Sequence, residues 1–254
     1  MNPRRELFLE EMGLTPVWRL KAGEARGPEE AEEIQEAPGV ASAESAASPA
    51  PRRDGIDAAD RAAGIARMDW GELKAAVAGC TACGLRRRCT QTVFGVGDAN
   101  AAWLLVGEAP GAEEDARGEP FVGQAGKLLD GMLAGIGLDR GRNVHIANVL
   151  KCRPPGNRNP EPAEVAQCAP FLARQLELIR PKLILAMGRF ACQTLLATDA
   201  SIASLRGRVH RYQGVPLIVT YHPAYLLRTL PDKAKAWEDL CFARRTMGDL
   251  PAQA

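Results

Sequence analysis

Four short apolar runs, AAWLLVG, VHIANVL, KLILAMG and PLIVTY, recur between residues 101 and 221 and place the tightest limit on the fold. Each has the length and apolar density of a buried strand. Between them lie QAGKLLDGMLAGIGL, EPAEVAQCAPFLARQLELI and GRFACQTLLA, whose apolar residues recur at the spacing of helices packed on one face. Pro162 sits near the start of the second of these, where a first helical turn tolerates it. Strand–helix alternation predicts an α/β protein, a three-layer α/β/α arrangement around a central four-stranded parallel sheet. Ligands of such sheets bind beyond the carboxyl ends of the strands. The loops that follow the four runs are GEAPGAEED, KCRPPGNRN, GRF and HPAYLLR, and three of these four carry polar or unusual residues.

The chain of 254 residues divides into zones by composition. Residues 1–21 hold Leu7, Leu9, Met12 and Leu14 at helix-compatible spacing, then Trp18, and read as a short interaction peptide. Residues 22–66, dominated by Ala, Glu, Pro, Ser and Gly, offer too little apolar surface to offset chain entropy and read as a disordered linker. A folded domain is expected over 67–247, with 248–254 as a tail. The formal net charge of +1 neither requires nor excludes nucleic acid, because a basic face can sit inside a neutral total. The N-terminus lacks a signal-peptide core, and no stretch approaches the roughly 18 apolar residues of a membrane span. A cytoplasmic, reducing location and a monomer are therefore expected, and structural disulfides are not.

Seven cysteines in such a chain need another explanation. Cys80 and Cys83 form a C-x-x-C pair; Cys152 follows a strand and Cys168 lies in the next helix, across a Pro- and Gly-rich loop. Four thiolates suit zinc or an iron–sulfur cluster. The later pair is separated by fifteen residues, unlike the second C-x-x-C of a zinc ribbon, which leans towards a cluster. Ordinary buried cysteines are the plainer reading. Cys192 and Cys241 sit in apolar helical patterns and read as core, and Cys89 has no evident partner.

The run CTACGLRRRCTQTVFGVGDANAAWLLVGEAPGAEEDARGEPFVGQAGKLLD resembles the start of the family 4 uracil-DNA glycosylases. NVLKCRPPGNRNPEPAEVAQCAPFL and VTYHPAYLLR match later motifs of that family in order, so the resemblance spans roughly residues 70–245. It implies a uracil-DNA glycosylase-like fold and a [4Fe–4S] cluster held by Cys80, Cys83, Cys152 and Cys168. It also implies a monofunctional enzyme that hydrolyses the bond between uracil and deoxyribose in DNA and so begins base-excision repair. A non-catalytic iron–sulfur protein that binds uracil or DNA is the alternative; a simple electron carrier would not need Phe121, Asn148 and His222 on separate loops.

The implied reaction assigns the loops. A flipped base must be packed and read in a pocket, and negative charge on the departing uracil must be stabilised. Phe121 is available to stack on the ring. Asn148 offers a donor and an acceptor that match O4 and N3–H of uracil. His222 can donate to O2. Glu108 belongs by resemblance to the catalytic motif, where it would position or polarise water. Ala109 stands where the best-known superfamily motif has Asp, and Gly111 stands where it has a bulky Tyr that excludes thymine. Leu226 is placed like an apolar wedge for the gap left by the flipped base. Arg153, Arg158, Arg206, Arg208 and Arg228 are candidate phosphate contacts. Glu113, Glu114 and Asp115 read as a solvated face or as helix N-terminal charges, and His145 and His210 carry no assignment. The peptide 1–21 resembles the N-terminus of the psi subunit of the bacterial replicative polymerase, which implies docking onto the clamp loader.

Overall fold

The structure, a computed structural model, describes residues 58–250. The helices are α1 (Ala58–Ile65), α2 (Trp70–Ala78), α3 (Ala112–Arg117), α4 (Gln124–Gly135), α5 (Pro162–Ile179), α6 (Arg189–Leu196), α7 (Ile202–Leu205), α8 (Pro223–Leu226) and α9 (Asp232–Asp249). The strands are β1 (Val96–Gly97), β2 (Trp103–Gly107), β3 (Val144–Asn148), β4 (Leu183–Met187), β5 (His210–Tyr212) and β6 (Val215–Thr220). They form a six-stranded sheet in the order β1-β3-β2-β4-β6-β5.

The four expected strands are the parallel centre, β3-β2-β4-β6. Every residue of β2, β3 and β4 is buried, as a parallel sheet covered on both faces requires. Alternate side chains feed two cores. Leu104, Val106, Ala147, Ile184 and Val219 pack with Leu172, Leu176 and Cys192 of α5 and α6. Leu105, Ile146, Leu185 and Ile218 pack with Leu129, Leu133 and Leu240 of α4 and α9. The three-layer α/β/α prediction is therefore met, with two short antiparallel edge strands added. β5 and β6 join through Gln213 and Gly214, both at positive φ (47° and 82°), the backbone of a tight hairpin turn. Among the described residues no helix is long and apolar enough to cross a membrane.

The N-terminal boundary differs from the expectation. α1 lies inside the 22–66 stretch assigned to a linker, yet Ile65 is buried with Leu73, Val77 and Phe171. Arg61 donates to the Gln167 carbonyl of α5 at 2.9 Å and lies 4.9 Å above the Phe171 ring. The segment AADRAAGI has one large apolar residue, so its helix depends on α5, a partner more than a hundred residues away. α2 carries its own start signal, a capping box in which Asp69 accepts from Glu72 N–H at 2.8 Å and Glu72 accepts from Asp69 N–H at 2.9 Å.

β6 is tied to α9 by a buried carboxylate. Asp239, 2% exposed, accepts from the Arg206 Nε at 2.7 Å and from the Thr220 hydroxyl at 2.9 Å. Arg206 is thus committed inside the protein and is removed from the candidate phosphate contacts. Asp239→Ala strands this guanidinium and is expected to cost about 3 kcal/mol, seen as a lower urea midpoint at unchanged slope.

Candidate active site and cysteine cluster

The parallel strands diverge in chain order at β2: β3 lies on one side, β4 and β6 on the other. Beyond their carboxyl ends opens a cavity of about 830 Å³, lined by Glu108 after β2, Asn148 at the end of β3, Arg189 after β4 and His222 after β6. That is the crevice in which such sheets hold ligands. Ala109, Gly111, Phe121, Arg158 and Arg228 also line it, so loops far apart in sequence converge as expected.

Asn148 is 2% exposed, and its Oδ1 is buried without a hydrogen-bond partner in the protein. An orphaned acceptor costs about 1–3 kcal/mol, and this one lines the cavity, where a ligand N–H would satisfy it. In the sheet Asn148 stands beside Gly107. A methyl group at Gly107 would run into Asn148 Oδ1 and lie 2.7 Å from Phe121 Cζ, so only glycine lets both side chains close over β2. Phe121 adopts φ 56°, an unfavourable conformation for a side chain of its size. Arg140 holds it there, donating to the Pro120 and Phe121 carbonyls at 2.8 Å each while paired to Asp130 at 2.8 Å.

The Phe121 ring stacks on His222, with centroids 5.4 Å apart and planes at 29°. His222 Nδ1 accepts from the Ala224 N–H at 3.1 Å, which leaves the neutral ring with its proton on Nε2. Burial lowers its pKa to about 4, with Glu114 opposing and Arg228 assisting, so the ring is neutral at physiological pH. Glu108 moves the other way: burial raises its pKa to about 7, opposed by the Arg189 guanidinium.

Several sequence assignments change. Leu226 is 1% exposed, packed inside its turn, and cannot act as an exposed wedge in this conformation; its neighbour Leu227 is 41% exposed. Arg158 is neutralised by Glu164 at 2.6 Å and Glu161 at 3.1 Å. Arg153 donates to Asn157 Oδ1 at 2.7 Å, and Arg228 is exposed on the cavity wall. Asp115 is buried and accepts from Thr90 N–H at 2.9 Å. Glu114 lines the cavity and bridges two loops, accepting from Gly111 N–H at 3.1 Å and Val122 N–H at 2.9 Å. All three acids stand in the first turn of α3, as the reading of helix N-terminal charges expects, and Glu113 alone of them is also exposed to solvent. Glu114 was legible as the fourth residue of a G-x-x-E capping pattern. Arg189 had no such signal, since a single Arg after a strand looks like any surface cation.

Cys83, Cys152 and Cys168 share one apolar cluster with Leu85, Leu150 and Cys89, whereas Cys80 packs against the cluster of Leu73, Val77 and Phe171. Burial pushes the Cys152 thiol up, and Cys89, Cys168 and Cys83 add to the effect. Burial also raises Cys168, against the Lys151 main-chain N–H that donates to its sulfur at 3.4 Å. Cys89 therefore has a neighbour, Cys152, that its sequence position did not reveal. Cys192 is buried as expected, whereas Cys241 is partly exposed. Among the described residues no three His, Cys, Asp or Glu side chains form a group that could hold a metal ion. The donor set nevertheless fits a thiolate-held cluster chemically: four thiols from two chain segments lie in or against apolar clusters, and one already accepts a main-chain N–H. Next to them Lys151 is 1% exposed; burial lowers its pKa to about 8, opposed by Cys168.

Residues 94–241 match the uracil DNA glycosylase superfamily. The chain is 49% identical over 156 residues to a type-4 uracil-DNA glycosylase of Archaeoglobus fulgidus, covering 58% of this chain and 78% of that one. It is 45% identical over 151 residues to the type-4 enzyme of Thermotoga maritima, covering 59% and 78% respectively. With that of Pyrobaculum aerophilum it shares 39% identity over 181 residues, covering 68% and 92%. The chain belongs to the uracil-DNA glycosylase superfamily and, within it, to the type-4 uracil-DNA glycosylases.

Gly107→Ala tests the closure over β2. The added methyl is expected to displace Asn148 and Phe121 and to lower base release by about a hundredfold or more, with little change in the thermal midpoint. An unchanged rate would show that the two side chains can close without the glycine.

Proposed function

We propose that the chain removes uracil from DNA by hydrolysing its N-glycosidic bond, leaving the sugar–phosphate backbone intact and so opening base-excision repair. The activity itself follows from its type-4 relatives; the assignment of steps rests on the cavity. The observation that carries it is the buried, unpaired Asn148 acceptor beside the Phe121–His222 stack. A uracil ring extruded from the duplex packs against Phe121, gives its N3–H to Asn148 Oδ1 and takes a hydrogen bond to O4 from the Asn148 amide. Cytosine, with the reversed edge, leaves both groups mismatched.

As the bond breaks, the base takes the electron pair and the sugar becomes cationic. His222 Nε2–H, kept neutral by burial, donates to O2 as charge builds there. Glu108, ionised above about pH 7, accepts a proton from the water that attacks the sugar, and Arg189 holds its charged form. Ala109 supplies no second carboxylate. Exclusion of thymine falls to the rest of the cavity wall, since Gly111 has no side chain to block its methyl. Arg153 and Arg228 are the phosphate contacts, with Leu227 at the mouth of the site.

Cys80, Cys83, Cys152 and Cys168 are the residues to hold a [4Fe–4S] cluster, which when bound would cross-link the segment after α2 to the loop after β3. Iron and sulfide content together with broad absorbance near 400 nm test this, and colourless protein containing zinc would overturn it. The peptide 1–21 and most of the linker lie outside the described residues. Clamp-loader docking by that peptide predicts loss of pulldown on Trp18→Ala. A cytoplasmic monomer is the simplest assembly and predicts a single peak of monomer mass.

The deciding experiment is base release from an oligonucleotide with one uracil beside a thymine control. Alkali-sensitive breakage only at uracil is expected; binding without release by cluster-loaded protein would favour the non-catalytic alternative, for which the missing Asp at Ala109 is the argument. With Glu108 as base, the rate rises with pH through about 7. Glu108→Gln should remove that inflection and lower the rate about 10²- to 10⁴-fold. Activity falls again only near pH 4, where His222 takes up a second proton.

A further inference from the structure

Among the described residues Lys151 is a fully buried charged side chain that the proposed chemistry does not use. It lies just past β3, 1% exposed, and among the described residues no carboxylate pairs with it. Its Nζ donates to the Asn148 carbonyl at 2.9 Å and to Gln175 Oε1 at 2.6 Å. Gln175 is itself fixed, donating through Nε2 to the Phe94 carbonyl at 2.9 Å. The Lys151 main chain is equally committed, with Val93 N–H donating to its carbonyl at 2.7 Å and its own N–H on Cys168. The other titratable groups that face it are His145, whose protonation it opposes, and Cys168.

A buried cation with no carboxylate beside it is strongly unfavourable unless hydrogen bonds, neighbouring thiolates or function retain it. Here the hydrogen bond goes to the main chain of Asn148, whose buried side-chain acceptor lines the cavity without a partner among the described residues. We propose that Lys151 is a positioning residue for base release: its ammonium fixes the Asn148 main chain and keeps a buried positive charge behind the place where uracil becomes an anion. This rests on the reading of the cavity as a uracil site. Charge aimed in advance at developing negative charge, in a water-poor setting, lowers the barrier more than it tightens substrate binding. The bland alternative is that Lys151 only balances the thiolates around Cys168.

Lys151→Met keeps the length and removes the charge, and the holoenzyme variant separates the two. Three quantities are measured: iron and sulfide content, affinity for an oligonucleotide carrying a non-hydrolysable uracil nucleotide, and single-turnover release. The expected result is unchanged iron, affinity within about threefold and release slowed about 10- to 100-fold. Unchanged release, or release that falls only in step with iron content, overturns the proposal. Should the variant not fold, the wild-type enzyme can still overturn the proposal. Free uracil loses its N1 proton to give the same anion as the leaving group, so its bound form should ionise at lower pH than in solution, read by ultraviolet absorbance. Ionisation at the solution pH would mean that no buried positive charge acts on the base. A wild-type enzyme that binds uracil but does not release it from DNA overturns the function itself, whatever Lys151 does.

Discussion

The parallel pairing of Gly107 with Asn148 is the constraint on which the site depends. It brings the end of β3 against the end of β2 so closely that a side chain on β2 would leave no room for the Asn148 amide or the Phe121 ring. From that contact outward, each loop is held by a neighbour. The β3 extension donates to the Gly107 and Glu108 carbonyls at 3.0 Å each, Glu114 ties the loop after β2 to the Val122 turn, and Arg140 holds the unfavourable Phe121 backbone. Strain of that kind persists where the surroundings over-determine it, and here the surroundings are the cavity wall.

One physical cause, burial, sets both titrating groups of the cavity, in opposite chemical senses. It raises the Glu108 carboxyl to about 7 and lowers the His222 imidazole to about 4, because each charged form loses water. The result is a carboxylate poised near neutrality and an imidazole that stays a neutral donor. Pairs of groups driven apart in this way divide acid and base roles. The Arg189 guanidinium tempers the first shift and the Glu114 carboxylate the second, so residues assigned no part in the reaction from sequence adjust the two that are.

The site was legible where chemistry and chain order coincide. Polar residues at the ends of buried strands, such as Asn148 and His222, are expensive unless used, and their position after a strand places them at the ligand-binding edge. The legibility failed where a residue's meaning depends on what it faces. Leu226 and Leu227 are adjacent leucines in one motif, and only the turn of α8 decides that the first is buried and the second exposed. Arg206 and Arg228 look alike in sequence, yet a carboxylate on α9 claims the former. The linker boundary failed for the same reason, since α1 has a single large apolar residue to announce its packing against α5.

The sequence by itself determined the alternation of strand and helix, hence the parallel centre of the sheet and the edge at which ligands bind. Those properties follow from hydrophobic period and from the short reach of each connection. It also determined the inventory of chemistry: a carboxylate, an amide and an imidazole at the ends of strands, and four thiols in two segments. Tertiary structure alone decided which charges are spent internally, which acceptor is left unpaired, and which lysine lies buried behind it. Burial and pairing are properties of the space between segments, and no single segment of the chain encodes them.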